Sequence, residues 1–298
     1  MEINGILNFY KPPNITSQSA VNVVKHIYGA KKAGHCGTLD PMAFGILPIM
    51  LGNSVKASEY LSDHNKRYIA KIALGIETDS EDTTGNVLAS FEGILPDFDA
   101  VQRAAKSFKG EYMQTPPMYS ALKVGGKKLV DLARNGISVT REPRKITIYS
   151  INALKKDDGI FLDVFCSKGT YIRTLCADIG KKLGCGACMD ALERISVENF
   201  NVLSSHTLDE LRNSNPEELA GFLIPTEKAL DFFPPISLKH FFAELVRNGC
   251  AVETKKLELE NIKTDCLYRL FDENLFFGVG AIEETDGIYT LKQKKFFG

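Results

Sequence analysis

The spacing of apolar and polar positions changes character several times along this chain. Ser17 to Tyr28 places Val21, Val24 and Tyr28 on one side at helical spacing, and Gly29 follows, so the spacing predicts a helix that stops there. Lys66 to Leu74 alternates instead, with Tyr68, Ala70 and Ile72 on one face, the period of a strand. Phe161 to Ser167 reads as a second strand. Gly169-Thr170 then leads into Tyr171 to Leu183, where Ile172, Leu175, Ile179 and Leu183 form an apolar helical stripe closed by Gly184. The break at Asp231-Phe-Phe-Pro-Pro-Ile236 forbids a continuing helix. Beyond it a helix-like stretch, Phe241 to Arg247, ends at Asn248-Gly249. Strand-like runs Leu267 to Phe271 and Leu275 to Val279 then flank the turn signal Asp272-Glu273-Asn274. Strands and helices do not alternate regularly, and there is no internal repeat. The expected class is α+β, with a long mixed region followed by a small β-rich one.

Composition narrows the class without naming a task. At 298 residues the chain is about two domains long by the rough prior of ~150 residues each. Its 44% hydrophobic and 24% charged residues exclude a disordered, collagen-like or coiled-coil chain. The formal net charge of -1 removes the simplest argument for a nucleic-acid partner, a basic chain overall, but is silent about local charge. The amino terminus lacks the basic start and apolar run of a signal peptide, and Ala43 to Leu51 is too short to span a bilayer, so a cytoplasmic protein without a membrane is expected. The seven cysteines are an odd, scattered set that suits reduced thiols. Cys185-Gly-Ala-Cys188 could open a zinc site or a redox pair, and Cys176 lies nine residues upstream. No histidine follows at ligand spacing and no second such pair exists, so these are read as buried, unliganded thiols.

The densest unusual segment runs from Gly34 to Pro48, with Gly34, Gly37, Gly45, Pro41 and Pro48 specifying backbone shape. It reads as a shaped loop. Asp40 precedes a proline and is therefore extended; alone it is a turn former or a catalytic carboxylate. His35 alone is a packing residue or an acid-base group. The five histidines never fall at close ligand spacing, and neither a phosphate loop, a dinucleotide fingerprint nor a Gly-x-Ser-x-Gly elbow is present. The chemistry is therefore expected to run on side chains alone. A second segment, Gln114 to Lys123, continues into a stretch from Ala121 to Thr147 with seven basic residues against Asp131 and Glu142, a local charge of +5. That is either a solvated face or, with Gly125, Gly126 and Gly136 interleaved, a mobile basic arm attractive to phosphates.

Taken in order, these residues resemble the TruB type of pseudouridine synthases, the bacterial tRNA pseudouridine-55 enzymes. Gly34-His35-x-Gly37-Thr38-Leu39-Asp40-Pro41-x-Ala43-x-Gly45 is similar to the family's catalytic motif. Lys11-Pro12 with Thr16-Ser17 resembles its amino-terminal motif. Lys66-x-Tyr68 with Gly75 and Thr78-Asp79-x-x-Asp82-x-x-Gly85 resembles its tyrosine motif. Gln114 to Lys123 resembles the start of its RNA-gripping thumb, Ser167 to Arg173 its arginine strand, and Leu192-x-Arg194 its leucine motif. Asn14 stands where the family often has glycine, and Asn is the next best residue at positive φ. Val130 stands where an aromatic is common. Around Gly278-Val279-Gly280 the carboxy-terminal region resembles a divergent PUA-type RNA-binding domain.

The resemblance implies a pseudouridine synthase fold: a mixed, largely antiparallel sheet flanked by helices over residues 1–230, a thumb at roughly 105–147, and a PUA-like domain over 236–298. It implies site-specific isomerisation of uridine in the T-loop of tRNA by base flipping, with no cofactor, no metal, no required protein partner, and a monomer. The reaction breaks the C1′–N1 bond, turns the base and rejoins it through C5, gaining no atoms. The departing uracil anion is delocalised, so one carboxylate can suffice where a glycosidase needs two. By the resemblance that carboxylate is Asp40, as nucleophile, stabiliser or base. Arg173 would pair with Asp40 and depress its pKa, and Asp82 would complete the network from the other side of Arg173. Tyr68 would stack on the flipped uracil. Tyr171, Ile172 and Leu192 would wall the pocket, His35, Gly37 and Thr38 would support the RNA, and Lys11, Lys66 and Lys123 would contact phosphates.

Overall fold

The computed structural model describes residues 3–259 and 263–298, with Lys123 and Lys128 described in their backbone alone. Among the described residues a ten-stranded sheet forms the centre of the larger region. Its main path runs Leu223–Ile224, Gly5–Lys11, Phe44–Leu51, Ala187–Val197, Lys66–Leu74, Gly159–Cys166, Arg144–Lys156, Gly110–Gln114. Neighbours pair antiparallel except Phe44–Leu51 with Ala187–Val197, which are parallel. The expected mixed, largely antiparallel sheet is thus present.

The expected elements follow from local chemistry. Helix Ser17–Tyr28 starts at Thr16, whose side chain accepts from the Ser19 N–H, and ends at Gly29 with φ 62. Helix Ile172–Leu183 ends at Gly184, φ 75, and buries Ile172, Leu175 and Ile179. Its first turn has no side-chain cap from its own N-cap residue, Tyr171. Both helices, with Phe98–Lys106, cover one face of the sheet over a core that includes Leu7, Leu47, Ala70 and Val164. Truncating Leu175, wholly buried there, to alanine costs about 2–5 kcal/mol.

The other face explains why Ala43 to Leu51 is continuously apolar. Ile6, Ile46 and Met50 point away from the helices into a second cluster shared with Leu230 and with Val279 and Phe297 of the carboxy-terminal region. A strand buried on both faces loses its alternation. Residues beyond the double proline form a five-stranded sheet, in the order Pro235–Leu238, Leu267–Asp272, Leu275–Thr285, Ile288–Phe296, Val252–Glu253. Helix His240–Arg247 packs on it through Ala243 and Val246.

Two expectations need correction. The shaped loop is shorter than Gly34 to Pro48, because Ala33–His35 and Phe44–Leu51 are paired strands, leaving residues 36–43 as the loop. Pro48 is tolerated in a strand because its carbonyl, accepting from the Cys36 N–H at 3.1 Å, is the group used there. The basic stretch is likewise divided. Arg144 and Lys145 belong to the central sheet, and Lys145 pairs with Glu111 at 2.9 Å. Between Gly110–Gln114 at the sheet edge and Arg144–Lys156 beside it, the chain forms a hairpin of Lys123–Val124 with Lys127–Lys128, turning at Gly125 and Gly126 with φ 57 and 82, and helix Leu129–Arg134.

Candidate active site

The loop 36–43 is fixed from below. Ser17, at the start of its helix, both donates to the Leu39 carbonyl at 2.9 Å and accepts from the Leu39 N–H at 2.8 Å. The Pro41 carbonyl accepts from the Asn14 N–H at 2.8 Å and from Lys11 Nζ at 3.3 Å. Asn14 has φ 65, so asparagine occupies a backbone position that glycine otherwise favours. These bonds hold Asp40 at the edge of an open pocket of about 650 Å³.

Arg173, in the first turn of its helix, meets Asp40 as a fork: Nε lies 2.9 Å from Oδ2 and Nη2 3.3 Å from Oδ1. The guanidinium also donates to the Tyr119 carbonyl and the Ser80 carbonyl, both at 2.9 Å. Asp82 stands on its far side, 3.6 Å from Nη1. The Asp82 carboxylate is itself held by Ser80 Oγ at 2.8 Å and by the Thr84 N–H and hydroxyl at 3.0 and 2.5 Å. A planar donor so enclosed has one orientation available.

The residue that starts that helix is held from a distant strand. The Gln114 side chain accepts from the Tyr171 N–H at 2.8 Å and donates to the Tyr171 carbonyl at 3.0 Å. Chain that leads into the basic excursion therefore fixes the residue two before Arg173.

Tyr68, buried at 8% exposure, lies on the pocket-facing side of Lys66–Leu74, and burial pushes its phenol up, opposed by the Arg194 charge. Asp40, Tyr68, Arg173, His35, Gly37, Thr38, Tyr171, Ile172 and Leu192 all line this one pocket. Asp82 supports it from behind, and Lys123 lies on the hairpin with its side chain outside the described residues.

Three expectations are corrected here. Lys11 is wholly buried and donates to the carbonyls of Pro12, Ile15 and Pro41, so it braces the loop and cannot reach a phosphate. Lys66 does line the pocket, yet its ammonium is engaged by the Ser62 carbonyl at 3.0 Å and the His64 carbonyl at 2.5 Å, an internal post rather than a phosphate contact. Burial pushes both lysines down to about 8. The third concerns Asp40, whose pKa is raised, because burial outweighs the opposing Arg173 guanidinium. His35 is pushed down by burial, and among the described residues its Nδ1 has no hydrogen-bond partner.

Sequence reasoning quoted Gln114, Ser17 and Arg194 within motifs but gave none of them a role in the site. The signal for Arg194 was available: it lies two residues after Leu192 on the same strand, so a period of two puts both in one pocket. Cys185 and Cys188 are buried, and among the described residues no three His, Cys, Asp or Glu side chains converge to hold a metal ion. Among the described residues no helix is long and apolar enough to cross a membrane.

A forked carboxylate in a pocket beside a buried tyrosine, on a largely antiparallel sheet, agrees with the pseudouridine synthase class that the sequence resembles. Residues 25–172 match the TruB family pseudouridylate synthase N-terminal domain, and residues 173–231 match the tRNA pseudouridylate synthase B C-terminal domain. A tRNA pseudouridine synthase B of Clostridium tetani is 46% identical over 279 residues, covering 93% of this chain and 95% of the relative. One of Alkaliphilus oremlandii is 42% identical over 291 residues, covering 95% of each. Among solved structures, a chain of a Cbf5-Nop10-Gar1 complex superposes with a TM-score of 0.74 at 26% identity, covering 99% of this chain and 85% of that one. The chain belongs to the TruB family of pseudouridylate synthases.

Proposed function

We propose that this enzyme converts the T-loop uridine at position 55 of tRNA to pseudouridine, acting as a monomer in the cytoplasm without cofactor or protein partner. The observation that carries the reading is the Asp40–Arg173 fork at the edge of a pocket large enough for a flipped nucleotide. The relatives named tRNA pseudouridine synthase B support tRNA as the substrate.

In this reading the target nucleotide swings out of the T-loop and its uracil stacks on Tyr68, between Leu192 and Ile172. Asp40, ionised and aimed by Arg173 with Asp82 behind it, acts at the ribose as nucleophile at C1′, as stabiliser of an oxocarbenium-like state, or as base at C2′. N1 leaves with the bonding electrons, the ring turns, C5 bonds to C1′, and the C5 proton is replaced by one on N1. His35 and Thr38 border the pocket mouth where the opened loop lies. The excursion through Lys123 to Arg134 supplies the thumb, and residues 1–230 and 236–298 act as catalytic and RNA-binding domains. Lys11 and Lys66 hold the walls.

Release of tritium from C5 of a labelled free T-arm stem-loop tests the reading. Turnover of that minimal RNA is the expected result. Modification of larger RNA with failure on the stem-loop contradicts T-loop recognition.

A further inference from the structure

Arg194 is among the largest fully buried side chains of the protein, at 1% exposure. A buried guanidinium is costly unless its charge is met, and elsewhere in this pocket the rule is kept: Arg173 has Asp40 and Asp82. Among the described residues, Arg194 bonds to backbone carbonyls and to the Tyr68 hydroxyl, and no carboxylate pairs with it. Nε donates to Ile46 at 2.7 Å and Nη2 to Gly37 at 3.0 Å. Gly37 lies in the loop that carries Asp40, and Ile46 lies on the strand that follows it. The position is enforced by the backbone, since a Cβ on Gly45 would come 2.3 Å from the Arg194 carbonyl oxygen.

Arg194 is also the cross-strand partner of Tyr68, and both side chains line the pocket. Its third nitrogen, Nη1, lies beside Gly37, and Lys66, a second buried cation, lies against the same glycine. The pocket is therefore polarised. It holds the Asp40 carboxylate, paired with Arg173, and, beside Tyr68, the Arg194 guanidinium, with which no carboxylate pairs among the described residues.

Resting on the function proposed above, we infer that Arg194 stabilises the detached base by its charge, while its two carbonyl bonds position the loop of Asp40. When C1′–N1 breaks, the bonding pair goes to the ring, which becomes an anion. Positive charge then develops at C1′ beside Asp40, and negative charge on the ring beside Tyr68. A fixed cation beside Tyr68 favours the separated state and needs no reorganisation to do so. The charge is not consumed: C5 rejoins C1′, its proton leaves, and N1 takes one up.

The test compares uridine with 5-fluorouridine at the target position of the T-arm stem-loop, under single-turnover conditions, by disappearance of the target nucleoside in digests. Fluorine withdraws electrons and makes the ring a better leaving anion, so it substitutes for part of the cation's effect. Parent enzyme that leaves uridine unchanged would sink the proposed function and leave this inference without an object. Given an active parent, Arg194→Met is expected to lose about 100-fold or more on uridine. Its loss on 5-fluorouridine is expected to be smaller by more than about five-fold. A total loss on uridine below about ten-fold, or losses on the two bases closer than five-fold, overturns the inference and leaves Arg194 as a brace only. Should circular dichroism show Arg194→Met unfolded, Arg194→Lys decides: retention of the uridine rate within about ten-fold supports the charge, and a larger loss overturns it.

Discussion

Arg173 and Asp40 face each other through two nitrogens and two oxygens, at 2.9 and 3.3 Å, with the arginine side chain 6% exposed and the aspartate side chain 35% exposed. The asymmetry sorts their tasks: the carboxylate opens to the pocket, and the guanidinium is its mount. Arg173→Lys keeps a positive charge but cannot serve Asp40, Asp82 and two carbonyls from one plane. It is expected to lower the single-turnover rate by about 100-fold while leaving RNA affinity within about three-fold. Asp82→Asn, which frees the far side of the fork, should lower the rate less, by about ten-fold. A rate unchanged in Arg173→Lys contradicts the mounting role.

The pH dependence follows from the burial of Asp40. Each of its three possible roles needs the ionised form, and its pKa is raised above the ordinary aspartate value of 3.8. Activity should therefore fall, as pH is lowered, at a higher pH than an exposed aspartate dictates. Arg173 opposes the rise, so Arg173→Met should move this acid limb further up. Single-turnover rates between pH 4.5 and 8 check both; a limb that stays put in Arg173→Met contradicts the assignment.

Lys11 gives a prediction that separates bracing from RNA contact. Replacing it with methionine removes its bonds to the Pro12 and Ile15 carbonyls and leaves the Pro41 carbonyl with the Asn14 N–H alone, at a cost of about 1–3 kcal/mol. Its folded pKa is about 8 against an ordinary 10.5. Between those values the unfolded chain holds a proton that the folded one releases, so this group's contribution to stability rises with pH. Lys11→Met lacks that rise. Its deficit should widen between pH 7.5 and pH 9.5 in urea unfolding, with no change in the salt dependence of RNA binding. A shallower salt dependence with stability intact would return Lys11 to the phosphates.

Gln114 ties the excursion to the catalytic helix. Gln114→Leu leaves the Tyr171 N–H and carbonyl without that side chain. The expected effect is a ten- to hundred-fold lower kcat with KM nearly unchanged, because the loss displaces Arg173 rather than the RNA-facing surface. A change confined to KM would place Gln114 in RNA binding instead.

How far the amino-acid order alone reaches depends on the kind of signal. Helices at 17–28 and 172–183 were readable because periodicity and a terminal glycine agreed, and Lys66 to Leu74 because one buried face leaves alternation intact. Phe44–Leu51 was harder, since burial on both faces erases the alternation that marks a strand. Asp40, Arg173 and Asp82 were assembled by motif order, while their distances came only from the fold. Charge was the misleading cue. Lys11 and Lys66 look like surface contacts for phosphate, and only their carbonyl partners, set by chain folding, make them internal. For Arg194 the period of two from Leu192 gave the pocket, while its bonds to Gly37 and Ile46 came only from the fold.

The central claim is that Asp40 drives uridine isomerisation in tRNA. A nucleoside digest of unmodified tRNA, before and after incubation with the enzyme, tests it most directly. The account predicts one uridine lost and one pseudouridine gained per tRNA, mapped to the T-loop, and none gained with Asp40→Asn at equal protein and equal RNA binding. Pseudouridine formed by Asp40→Asn at the parental rate, or none formed by the parent, would contradict it.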